Sequence, residues 1–452
     1  MVNKLYWLKL INSESSVIIN NKDMITKKYI SIISAIISIC ILLFSVAEAK
    51  VYLDITSPEF RKVPVAVPYF SNKNGPEQIK ETDRDMASLL TDALEFHGFI
   101  KIVPPEQYDG SKNTDWLNLG VDYTIISEYE ITGESITFEF RLIDVTEGRI
   151  LIGKRYKGSW NIRDKMVLRF CDEVIYQLTG ERGISMSNIA FASEVSGHKE
   201  IFVADVLGRN IKQITRHNNL TVSPKFSPDG KLLAYSSYHP GNPNLYITNW
   251  QEARFTKAIS RRPGLNLAPA WSPDGKTLAL TLSKDDNPDL YLIKPDGSII
   301  SRITKNTGIN VSPTWSPDGK HIAFVSDRSG TPQVYIMNMK TNAVRRITFQ
   351  GNDNTEPSWS PDGEWIAYSG LYEGHYQIFI IKPEGGLPLQ LTWYRDDHES
   401  PSWSPDGRQI VFSRRHDEDS DICTIFSNGT AFRTLFRLKG DQSSPEWSTR
   451  MQ

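Results

Sequence analysis

Charge of one sign is the first thing this sequence lacks. Its 452 residues carry 51 Lys and Arg against 53 Asp and Glu, for a net charge of −2. That balance gives no field to steer nucleic acid or an anionic membrane surface, so neither partner is expected. Cysteine is scarce, at three residues. Cys40 falls in an N-terminal apolar stretch. Cys171 lies on the apolar face Val167, Phe170, Cys171, Val174, Ile175 and Leu178 of a helical pattern. Cys423 occupies an apolar repeat column. Two packed thiols are expected rather than a disulfide. Catalytic signatures are missing too. The chain has no Gly-x-Ser-x-Gly elbow, phosphate loop, zinc-ligand spacing or dinucleotide glycine pattern. Its eight histidines are scattered, with His217 and His398 in loops before repeat strands. No catalytic residue, cofactor or metal is expected. The acidic run Asp417–Asp421 at a hairpin tip reads as a solvated loop rather than a cation site.

What is present is a repeat. An aromatic followed by Ser-Pro-Asp-Gly begins at Phe226, Trp271, Trp315, Trp359 and Trp403, and a shortened copy ends at Trp447-Ser448. Three further columns keep step. An apolar residue that opens a strand core recurs at Ile189, Leu233, Leu278, Ile322, Ile366 and Ile410. An aromatic recurs at Phe202, Tyr246, Tyr291, Tyr335 and Phe379, with Cys423 in the sixth copy. An Ile/Leu-Thr pair recurs from Ile214, Ile303, Ile347 and Leu391, with Ser after Ile259 and, degraded, at Leu435. The period is 44, with one extra residue between Thr248 and Thr256, where a surface turn absorbs it. A strand-rich repeat of about 40–50 residues signals a β-propeller.

Each copy reads as four short strands. In the copy from Pro313, the first is Pro-Thr-Trp-Ser and Ser316-Pro317-Asp318-Gly319 turns the chain. Proline pre-sets φ and glycine takes the positive φ that follows, so the repeated Asp has a turn role and no catalytic one. Lys320–Ser326, Gln333–Asn338 and Val344–Thr348 follow. The first copy lacks its first strand, and the chain ends with a spare one, Ser444-Pro445-Glu446-Trp447-Ser448. Joined, they make a sixth blade and close the ring.

The N-terminal 1–49 form a signal-peptide region. Lys27-Lys28 precede the apolar stretch Tyr29–Val46, which ends in Ala47-Glu48-Ala49. The small-x-small site favours cleavage after Ala49 over a membrane anchor of marginal length. Residues 1–23 are polar and unlike a signal start, which points to Met24 as the initiator. Ile39 before Cys40 argues against lipidation.

Residues 50–183 show no repeat and read as a small α/β domain with a mixed sheet; 184–452 form the propeller. Strands are expected at Lys62–Phe70 and Phe99–Val103, then a meander over Val121–Ile131, Ile136–Val145 and Ile150–Ser159. Helices are expected over Asp83–His97 and over Asn161–Leu178, the second capped by Asn161.

An export signal, a small α/β domain and a six-bladed propeller of Trp-Ser-Pro-Asp-Gly repeats together resemble the TolB family of periplasmic propeller proteins. The start Lys50-Val51-Tyr52-Leu53-Asp54-Ile55-Thr56 and the strand Val65-Ala66-Val67-Pro68-Tyr69-Phe70 look like the family's own. The resemblance implies a monomeric adaptor of the Tol–Pal envelope system, acting in outer-membrane integrity and constriction, and not an enzyme. It implies that the propeller binds the peptidoglycan-associated lipoprotein Pal and that the mature N-terminus binds TolA. The TolA-binding segment would be Lys50, Val51, Tyr52, Leu53, Asp54, Ile55 and Thr56. The Pal-binding face would be the loops entering each inner strand: Leu220-Thr221, Leu265-Asn266-Leu267-Ala268, Asn310-Val311-Ser312, Thr355-Glu356 and His398-Glu399. The family often has histidine where this chain has Leu265. Two alternatives stay open: a regulatory propeller for a separate-chain peptidase, and a glycan-binding propeller.

Overall fold

The computed structural model describes residues 61–450, apart from 76, 77, 240, 253–255, 394 and 418. The signal-peptide region and the segment Lys50–Thr56 lie outside the described residues.

The first domain is a mixed sheet under two helices. Strands β1 (Val63–Ala66), β2 (Ser71–Asn72), β3 (Ile100–Val103), β4 (Tyr123–Thr132), β5 (Ser135–Asp144) and β6 (Arg149–Ser159) make it. The main order is β3-β1-β4-β5-β6, with β1 parallel to both β3 and β4, and β4-β5-β6 antiparallel. Helix α1 (Glu81–Phe96) buries Met86, Leu89, Leu90, Ala93 and Leu94, the stripe its spacing predicts. Its first turn is fastened by Asp83, which accepts the Lys80 N–H at 2.8 Å and the Tyr129 hydroxyl at 2.7 Å. Helix α2 (Arg163–Thr179) stacks Phe170 on Phe140, with centroids 4.5 Å apart. Asn161 is not its cap. A 3-10 turn over Trp160–Ile162 precedes the helix, and the Asn161 side chain bonds Ser159 instead. The expected strand Lys62–Phe70 is shorter, ending at Ala66.

Among the described residues the rest is six four-stranded antiparallel sheets. The first blade joins the C-terminal strand Gln442–Trp447 to Asn188–Ser193, Glu200–Asp205 and Lys212–Gln213. The predicted closure is present. The repeat columns form the packing between blades. Ile189, Leu233, Leu278, Ile322, Ile366 and Ile410 are all fully buried. The aromatic column stacks on second-strand aromatics, as with Tyr246 on Tyr235 (5.7 Å) and Phe379 on Tyr368 (5.5 Å). The Thr of Ile/Leu-Thr accepts a third-strand N–H, from Ile201, Leu290, Val334 and Ile378, at 2.8–2.9 Å. In the Ser-Pro-Asp-Gly turn, Asp318 accepts the Lys320 N–H (3.0 Å) and the Ser316 hydroxyl (2.7 Å), and Gly319 has φ +69°. Cys171 and Cys423 are free and buried.

Candidate partner-binding face

The inner strands begin two to four residues earlier than the repeat suggested. They run over Thr221–Phe226, Asn266–Trp271, Asn310–Trp315, Asn354–Trp359, Asp397–Trp403 and Gln442–Trp447. Each carries a bulge before its proline. Ser223, Ala268, Ser312, Glu356, Ser400 and Ser444 all take φ of +49° to +57°, and the ladder slips there. Proline lacks an N–H and disfavours a helical residue before it, so a left-handed bulge is the local solution. The Ser/Ala/Glu-Pro pairs at these six positions were the available signal.

This corrects the placement of the expected contact residues. Thr221, Asn266, Leu267, Ala268, Asn310, Val311, Ser312, Thr355, Glu356, His398 and Glu399 stand in strands, not in loops. Thr221, Asn266, Asn310 and His398 are fully buried. The asparagines are braces. Asn310 Nδ2 donates to Asp289 Oδ1 and to Gly308 O, both at 2.9 Å, tying its strand to the preceding blade. Asn354 does the same to Gln333 and Gln350. His398 packs edge-on against Phe412 and Phe432. Burial and then the Arg414 charge push its pKa down to about 4. His217 is half-buried, within 3.0 Å of the Ser237 hydroxyl. Leu265, Leu267, Val311, Thr355 and Glu399 remain half-buried, and Leu220 is exposed.

Glu356 bridges two blades. Its carboxylate accepts the Ser400 N–H (2.7 Å), the Ser400 hydroxyl (2.8 Å) and the Ser369 hydroxyl (3.1 Å). Burial, and then the Glu356 charge, push Glu399 up to about 7. Below the bulges, a cavity of about 630 Å3 runs down the channel between prolines and tryptophans to the Ser-Pro-Asp-Gly turns.

The acidic run is not a solvated loop throughout. Asp421 is fully buried in the strand Asp419–Phe426 and accepts from Arg414 (2.6 Å) and Arg437 (2.7 and 2.8 Å). Among the described residues no group of His, Cys, Asp and Glu has metal-holding geometry.

One feature of this end was missed. Phe349 is 70% exposed and Trp393 68%, and Ile309 and Tyr372 are also exposed. Phe349 and Trp393 immediately follow the Ile/Leu-Thr pairs of the fourth and fifth blades. The same position holds Arg216, Arg261, Lys305 and Arg437 in the others. Aligning that column would have singled them out.

These elements define a β-propeller protein that carries a small α/β domain. The chain belongs to the TolB family: the TolB beta propeller domain model matches residues 175–451 and the TolB amino-terminal domain model matches 51–151. A relative named "Tol-Pal system protein TolB" from Desulfotalea psychrophila is 46% identical over 213 residues, 47% of this chain and 49% of that one. One of the same name from Desulfosudis oleivorans is 38% identical over 216 residues, 45% of this chain and 49% of that one. The chain spans about half the length of the curated relatives it matches. The crystal structure of TolB from Acinetobacter baumannii superimposes with a TM-score of 0.75 at 25% identity, covering 86% of this chain and 97% of that one. Among the described residues no helix is long and apolar enough to cross a membrane.

Proposed function

We propose that this chain is a periplasmic adaptor of the Tol–Pal system that acts by binding and not by catalysis. Its propeller takes Pal on the end where the inner strands begin, and its mature N-terminal segment, Lys50–Thr56, takes TolA. The domain division at residues 183 and 184 and the monomeric state belong to the same proposal. The observation that supports it is the exposed pair Phe349 and Trp393 beside that end. Large aromatics left in water on an otherwise mixed surface mark protein contact sites, and tryptophan is enriched among residues that dominate binding energy. The buried polar groups of the same end are occupied in bracing the blades, which leaves the rim and the half-buried entry residues for recognition.

The test is titration of purified Pal by calorimetry. Trp393→Ala is expected to weaken binding by about 2 kcal/mol, roughly 30-fold in Kd. Asp318→Ala, in a turn at the opposite end, should leave affinity unchanged. Equal loss from both would place the contact elsewhere. Binding of a peptidoglycan fragment with no binding of Pal would favour the glycan reading.

A further inference from the structure

His97 caps the C-terminal end of α1, and its side chain is 2% exposed. Its Nδ1 lies 2.8 Å from the Ala93 carbonyl oxygen. The Ile184 N–H points at its Nε2 across 3.1 Å. A carbonyl oxygen only accepts, and a backbone N–H only donates. The two contacts together therefore specify one species, the neutral imidazole with its proton on Nδ1.

Ile184 belongs to the linker between the two domains, and the next two amides are held as well. Asp172 of α2 accepts the Ser185 N–H at 2.8 Å and the Met186 N–H at 3.2 Å. From there the chain of bonds reaches the ring seam. The Ser187 hydroxyl donates to the Ile184 carbonyl at 2.6 Å and accepts the Trp447 indole N–H at 2.8 Å. Phe96, next to His97, packs on Trp447 with ring centroids 6.0 Å apart, and its carbonyl accepts from Gln409 of the sixth blade at 3.0 Å. Residues of α1, the linker and the closing blade share one core.

We infer that His97 is a proton-sensitive pin for this linker. Neutral, it holds Ile184 against α1. An imidazolium has two donors and nothing to offer the Ile184 N–H. Its new Nε2–H has an acceptor waiting, because Asp172 Oδ1 stands 4.0 Å from Nε2. Protonation exchanges one partner for the other and releases the linker amide beside the seam.

The charged groups facing the ring come from two elements: Asp172 on α2, and Asp406 and Arg408 in a turn of the sixth blade, where Arg408 also pairs with Glu181 after α2 (2.9 Å). Burial lowers the ring's affinity for a proton; Asp172 and Asp406 raise it and Arg408 lowers it, with a net lowering. A histidine depressed in the folded state contributes stability that is whole above its ordinary value near 6.5 and fades as pH falls below it. Asp172 shifts the opposite way, raised by its own burial, and so opposes part of this effect.

Hydrogen exchange on the full chain, corrected for intrinsic rates, tests the inference. From pH 7.5 to 5.0, protection at Ile184–Ser187 is expected to fall at least tenfold, while the strand His321–Ser326 keeps its own. His97→Gln, which does not titrate, should flatten that dependence. Asp172→Asn should move the loss to lower pH. Flat protection in the wild type overturns the inference, as does an unaltered pH profile in His97→Gln. Ring nitrogen shifts of His97 in the wild type give a check free of folding defects in the variants. A proton found on Nε2 at pH 7.5 overturns it too.

Discussion

Trp447→Ala should open the ring. The indole is 4% exposed, packed in the core that joins the first blade to α1, and donates to Ser187 at 2.8 Å. Truncating a buried tryptophan costs about 3–5 kcal/mol, and the lost hydrogen bond about 1 kcal/mol more. Typical stabilities are about 5–15 kcal/mol, so the loss is a large fraction. At roughly 2–4 °C per kcal/mol for a large domain, melting should fall by about 10 °C or more. The effect should also be local. The closing strand pairs Glu446 with Ala190 and Ser443 with Ala192. Glu446 also accepts from Lys225 of the second blade (2.5 Å) and from Ser402 of the sixth (3.1 Å), so this strand ties both neighbours. Hydrogen exchange should show Ala190 and Ala192 deprotected first. Trp315→Ala, in the fourth blade, should destabilise without that pattern. Melting of Trp447→Ala within about 2 °C of the wild type, or the same exchange pattern in both variants, would refute the seam. Removing Asp441–Gln452 is the harsher form and should yield an aggregating product.

Three further outcomes are expected. Glu399 is held up at about 7 when folded against an ordinary 4.5, so the folded state binds more protons between those values and stability falls as pH rises through them; Glu399→Gln should melt higher than wild type at pH 8 and no higher at pH 4, and a lower melting point at pH 8 contradicts the shift. Asp421→Ala strands Arg414 and Arg437 and should cost about 3 kcal/mol, somewhat less if Arg437, already more than half exposed, finds water; unchanged urea denaturation would mean the cluster is no brace. Deleting Lys50–Thr56 should abolish TolA binding in a pull-down and shift melting by a few degrees at most, whereas unfolding of the first domain would make the segment structural.

The ring was legible because a propeller writes its packing into columns. A residue that must fill the same gap six times keeps the same type, so Ile189 through Ile410 and Phe202 through Phe379 announced six equivalent blades. The break in the pattern was as informative: a first copy without its inner strand and a last strand without a blade left one way to close. Local starts were less legible. Asn161 looks like a cap by type, but a cap is a geometric position, and the 3-10 turn at Trp160–Ile162 moved the helix start past it. The inner strands were misread in the same way. Proline at 224, 269, 313, 357, 401 and 445 suggests a strand start, since it donates no ladder bond. Here a left-handed bulge precedes each proline and lets the strand continue on its far side.

The misread strands explain why the site was only half legible. The contact face was carried over by position in the repeat, as the segments entering each inner strand, and that placed Asn310 and His398 on it. Inside a ring, the reversal between blades is covered by its neighbours, and a buried polar side chain there must find partners in the structure. Asn310 and Asn354 find them in the preceding blade, so their type is set by bracing and says nothing about recognition. The converse holds at the rim. A position free of bracing duties can drift, and the residue after each Ile/Leu-Thr pair does: four cations and two aromatics in one column. Stability does not ask for Phe349 or Trp393 to lie 70% and 68% exposed. Apolar burial favours folding by about 25 cal/mol per Å2, and these two side chains forgo most of it in the free protein. A partner that covers them recovers that term on binding. In a repeat protein, then, invariant columns report the fold, and the column that departs from its own pattern in neighbouring blades is where a proposed partner face is best tested.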